Sequence, residues 1–173
     1  MDCESKWGSA DRLQPYHHEM FTNEALISIY RKIVKLLKKY DMCATFAFVM
    51  AMTLNEQERQ RFAPLFNLQS ESSKDWLSHF RVFESSGELN GWFEPELLNI
   101  VRQYPQHEIA CHSFCHSPMT DDVLSSEQAC IELDAALKIA KTKNIKLRTF
   151  IFPRNGVGNR ESLFKKGFIG YRN

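Results

Sequence analysis

The chain has almost no net charge and no long apolar run, and each absence closes a class of function. With 22 Lys and Arg against 21 Asp and Glu, the formal charge is +1. That gives no electrostatic case for nucleic acid or an anionic membrane surface as partner. No apolar run approaches the roughly 18–20 residues of a membrane span. The opening Met1-Asp2-Cys3-Glu4-Ser5-Lys6 is polar at once, unlike a signal peptide, so a cytoplasmic location is expected. The 5 cysteines are odd in number and lack framework spacing, which favours a reducing compartment over a disulfide scaffold. Cys111, Cys115 and His116 would make half of a finger site, but no second Cys/His pair follows at finger spacing, so a structural zinc module is not expected.

What is present is enough for one globular domain spanning residues 1–173. The length of 173 residues and an apolar content of 43 % allow a buried core without staples. The organising stretch is His107 to Pro118. Glu108 to Cys111 reads as a short buried strand, and His112 and His116 follow at its C-terminal end before Pro118 forbids a long helix. A single helical turn there would put both imidazoles on one face, a spacing suited to two ligands of one metal ion. An H-x3-H pair alone more often marks two unrelated loop histidines, because such short patterns recur by chance. The metal reading therefore needs an acidic partner and a scaffold.

Taken in order, Asp2 and Glu4 share a face if the N-terminus is extended. Two neighbouring carboxylates are useful to a cation and costly without one, while position alone favours a frayed, solvated terminus. Residues 12–21 read as an irregular loop, and Thr22 or Asn23 caps a helix running to about Tyr40. Met42 to Val49 is an unbroken apolar run, as expected of a parallel strand covered on both faces. Asn55 opens a short helix to about Phe66, while 67–90 is polar and broken and reads as an inserted excursion. Pro95 starts a helix through Tyr104. Ser125 with Gln128 forms a capping box for a helix to about Lys143. Leu147 to Phe152 is a strand ending in Pro153-Arg154-Asn155-Gly156, and a helix from about Arg160 to Gly167 leads into a last strand. This alternation implies a parallel α/β sheet or barrel. Asp2, Glu4, His112, His116 and Arg154 then all fall at the C-terminal ends of strands, where such folds gather their chemistry.

Three ordered stretches resemble the polysaccharide deacetylases of the NodB homology group. They are Asp2-Cys3-Glu4, the H-S-x-x-H run His112-Ser113-Phe114-Cys115-His116, and Phe152-Pro153-Arg154-Asn155. Ala44-Thr45-Phe46-Ala47-Phe48-Val49 also resembles that family's second strand. The resemblance implies an incomplete distorted (β/α)7 barrel and a divalent metal, commonly zinc. It implies removal of N- or O-acetyl groups from a carbohydrate, with Glu4, His112 and His116 as metal ligands, Asp2 as catalytic base and Arg154 orienting that base. Arg154 follows its proline here, whereas many members place the arginine two residues before it. The chain starts inside the first expected strand and stops soon after the arginine motif, as a copy truncated at both ends would. His17, His18 and His79 are spare histidines, and Trp7, Trp76 and Trp92 are candidates for sugar stacking or for the core. The alternatives are a non-catalytic remnant that binds metal or sugar, and a hydrolase of another non-peptide C–N bond.

Overall fold

The computed structural model describes residues 1–66 and 75–172. Its elements in chain order are β1 (Asp2–Cys3), α1 (Pro15–Met20), α2 (Asn23–Lys39), β2 (Thr45–Phe48), α3 (Glu56–Phe66), α4 (Ser78–Ser86), α5 (Glu96–Arg102), β3 (Glu108–Cys111), α6 (Ser126–Thr142), β4 (Thr149–Ile151), α7 (Arg160–Lys165) and β5 (Gly170–Arg172). The strands form a sheet in the order β1-β2-β3-β4-β5, every pair parallel. The sheet curls into a half-barrel with β1 and β5 at its edges, an incomplete form of the expected α/β barrel.

The two-residue period of a strand sorts side chains to opposite faces. Cys3, Phe46, Phe48, Cys111 and Phe150 point outward into the main core, where the helices cover them. Ala47, Ala110 and Ile151 form a separate small cluster on the concave face. Glu108 sits near the N-terminal end of that face and accepts from the Thr45 and Thr149 hydroxyls at 2.7 and 2.6 Å. Asp2 and Arg172 join the two edge strands through an ion pair of 2.6 Å.

Helix ends follow local chemistry. Thr22 Oγ1 accepts from Ala25 N–H to cap α2. Asn55 and Glu58 exchange bonds at the start of α3, and Ser125 and Gln128 do the same at α6. Two expectations change. Residues 12–21 contain α1, whose first residue is Pro15, a favoured first helical position because the missing N–H is not needed there. The presumed excursion contains α4, which ends on Gly87 in a left-handed conformation. Residues 67–74 of that excursion lie outside the described residues. Among the described residues, no helix is long and apolar enough to cross a membrane.

The segment after β1 is a single 3-10 stretch, Ser5–Ser9, and three consecutive side chains pin it. Ser5 Oγ, Lys6 Nζ and Trp7 Nε1 donate to the carbonyls of Gly91, Asn90 and Trp92 at 2.8, 2.6 and 2.6 Å. Trp7 is fully buried, with its ring 4.7 Å from Phe80, 5.1 Å from Trp92, 5.6 Å from Phe93 and 5.8 Å from Phe66. Neither Trp7 nor Trp92 is available to a sugar. Removing this indole leaves a cavity and an unpaired buried carbonyl. Trp7→Ala is therefore expected to lose about 3–5 kcal/mol of stability in urea unfolding. A loss below about 1 kcal/mol would show that the aromatic cluster does not anchor this end of the chain.

Candidate metal centre

The side chains of Glu4, His112 and His116 converge above the C-terminal edge of the sheet. Glu4 follows β1, where Gly8 leaves room for its carboxylate: a Cβ on Gly8 would fall on the Glu4 side chain. His112 follows β3 directly. His116 is brought back beside it by a turn rather than by a helix, since Ser113 and His116 have φ of 64° and 65°. The two imidazole centroids are 4.8 Å apart. Glu4 Oε2 lies 3.0 Å from His112 Nε2 and 2.7 Å from His116 Nε2. Among the described residues these three form a group able to hold a metal ion, with one ligand atom from each lying within 4.8 Å of the others.

Electrostatics favour a cation at that point. His112 Nδ1 lies 2.9 Å from the Ile151 carbonyl, which can only accept, so Nδ1 carries the proton. Nε2 is then the ring atom directed at Glu4 and the one left to ligate a metal. This is the arrangement in which a second partner fixes the ligating tautomer of a metal-binding histidine. His116 is 5 % exposed, its Nδ1 has no hydrogen-bond partner, and its Nε2 is not aligned as a hydrogen bond toward Glu4. Burial raises the Glu4 carboxyl, but contacts with His112 and then His116 outweigh it and hold it well below the usual carboxylate range. Burial lowers His116, and its contact with Glu4 only partly offsets this. With the imidazole nitrogens free of protons on the side facing Glu4, the three side chains would present two nitrogen lone pairs and a carboxylate oxygen to one point. Such a set repels itself without a cation and suits a divalent ion of the zinc type.

The base side differs from expectation. Arg154, at the C-terminal end of β4, was expected to orient Asp2. It instead makes an ion pair with Asp11, whose side chain is 2 % exposed. Its guanidinium lies 4.6 Å from the Trp76 ring centre, and its charge acts on His116. Asp2 pairs with Arg172, and both are substantially solvent-exposed at 38 % and 52 %. Of the two expected partners, Arg154 therefore reaches the rim and Asp2 is turned to the opposite edge strand. Asp11 had no sequence signal, being one acid at the end of the polar N-terminal segment. Of the spare histidines, His17 Nδ1 accepts from Gln14 N–H at the start of α1, and His18 lies against Phe83. Cys115, far from completing a finger, donates its thiol to Glu132 at 3.1 Å.

Comparison with known proteins bears on the family and the fold. The polysaccharide deacetylase family profile matches residues 22–173, a span that includes His112, His116 and Arg154 but begins after Asp2, Glu4 and Asp11. A search of curated proteins gave no match. Among solved structures, the chain is similar to a mutant of a CE4 family pseudoenzyme described as having restored enzymatic activity. The two share 17 % identity at a TM-score of 0.50, over 84 % of this chain and 40 % of that one. At that identity the likeness concerns the fold, and the chain spans less than half the length of this neighbour. The profile match covers most of the sequence: the chain belongs to the polysaccharide deacetylase family.

Proposed function

We propose that the protein is a metal-dependent deacetylase of carbohydrates, hydrolysing an N- or O-acetyl group to acetate. The observation that carries this is the convergence of Glu4, His112 and His116 on one point, with the His112 tautomer fixed by Ile151. Glu4, His112 and His116 would hold the ion, zinc by their chemistry. Bound there, the ion supplies Lewis acidity toward the acetyl carbonyl and toward water.

Asp11 takes the role first given to Asp2. Arg154 pairs with Asp11, and a carboxylate there can accept the proton of the attacking water. The expected result is acetate release from an N-acetylglucosamine oligomer by the zinc-loaded protein, abolished by chelation and restored by added zinc. Zinc binding without acetate release from N- or O-acetylated oligosaccharides would leave a metal-binding domain and remove the enzymatic assignment.

A further inference from the structure

The turn that presents the two histidines is strained at both ends, and its donors converge on a carboxylate that no motif marks. Ser113 and His116 have left-handed backbones, with φ of 64° and 65°, which non-glycine residues keep only where surrounding structure holds them. Ser113 Oγ accepts from His116 N–H at 2.8 Å. On one side, the Ser113 and Phe114 carbonyls accept from Met50 and Ala51 N–H at 3.1 and 2.9 Å. On the other side stands one carboxylate, Glu132 of α6, only 3 % exposed. Its Oε2 accepts from Phe114 N–H at 3.0 Å and Cys115 N–H at 3.4 Å. Its Oε1 accepts from Ser117 O–H at 2.7 Å and Cys115 S–H at 3.1 Å.

A carboxylate offers acceptors on both oxygens and no donor, which matches the four donors just named among the described residues. Bonds to an ionised acceptor are also about twice as strong as neutral ones. Glu132 sits on the buried stripe of α6 with Ala129, Leu133 and Ala136, so its position is set by the core and not by the turn. We propose that Glu132 is a positioning residue for the metal centre. It holds the His112–Ser117 turn in the strained form that aims both imidazoles at Glu4, and so sets the affinity of the site for zinc. The proposal rests on the metal assignment above.

Glu132→Gln tests it with little change of volume. An amide nitrogen in place of one oxygen sets donor against donor on one side of the turn. Zinc affinity, measured by competition with a chromophoric chelator, is expected to fall about 10–100-fold, the range for partners that orient metal ligands. The visible absorption of the cobalt-substituted protein is expected to change with it. Leu133→Ala, a destabilising core change on the same helix, is expected to leave that cobalt spectrum as in the parent. If the Glu132 variant does not fold, Ser117→Ala removes the shortest of the four bonds while leaving the carboxylate in place, and a severalfold loss of zinc affinity is expected. Parent-like zinc affinity and cobalt spectrum in folded Glu132→Gln would overturn the proposal, as would parent-like affinity in Ser117→Ala where only that variant folds. An equal spectral change in Leu133→Ala would also overturn it, reducing Glu132 to general stability. If the parent itself binds no zinc, the metal assignment fails and takes this proposal with it.

Discussion

Asp11→Asn lowers kcat/KM for acetate release by about 10²–10⁴-fold, the contribution of a positioned general base. Asp2→Asn leaves the same quantity near the parent value. The contrast follows from what each carboxylate faces. The Asp11 side chain is buried against Arg154, whose charge acts on His116. The amide keeps the shape of Asp11 but accepts no proton and leaves the guanidinium without its counter-charge. Asp2 meets Arg172 in an ion pair exposed on both sides, and pairs of that kind contribute about 0–1 kcal/mol. The measurement is steady-state kinetics of both variants at saturating zinc. An inactive Asp2→Asn beside a near-normal Asp11→Asn would return the base to Asp2 and leave Asp11 a structural role.

Glu4→Ala removes zinc binding more completely than any change outside the ligand set. Partners that only orient ligands are worth about 10–100-fold in affinity, so loss of the one charged ligand is expected to exceed about 100-fold. Melting reads this directly. At zinc 100 times the dissociation constant of the parent, binding stabilises the folded state by about 2.7 kcal/mol, and a 100-fold weaker variant retains about 0.4 kcal/mol at the same zinc. Chelation should return the parent to its metal-free melting point. Acid should do the same, because imidazole binds metal only when deprotonated. Burial lowers the pKa of His116, so its neutral form persists to lower pH than in a free histidine and is lost as pH falls through that lowered value. Equal zinc shifts in parent and Glu4→Ala would place the ion elsewhere.

Much of this centre was legible because its signals are local. His112 and His116 stand four apart at a strand end, and Glu4 was separated from Cys3 by the two-residue period of an extended chain. The strand Glu108–Cys111 and the capping boxes at Asn55 and Ser125 were legible for the same reason. What sequence hid was long-range partnership. Asp11 meets Arg154 across 143 residues, and nothing near Asp11 announces it. Arg154 and Asp2 lay on the same expected rim, but a rim assignment does not say which charge faces which. The turn between the histidines looked helical because i and i+4 are neighbours on a helix. The two left-handed residues that replace the helix are held by Glu132, itself invisible within an ordinary amphipathic pattern. α4 was obscured by serines around Phe80 and Phe83, although Gly87 carried a stop signal.

The ion pair between Asp2 and Arg172 also bears on the order of folding. It joins residues 170 apart, and its partners belong to the first and last strands of a sheet laid down in chain order. Bringing such distant positions together carries a loop-closure entropy that nearer contacts must first reduce. Each intervening strand that pairs shortens the effective loop, so β1–β2 and β4–β5 can form locally while the contact across the curled face waits for all five. A weak, exposed pair does not drive that closure. It marks its completion, and the parallel non-local topology behind it belongs to the slower class of folding reactions.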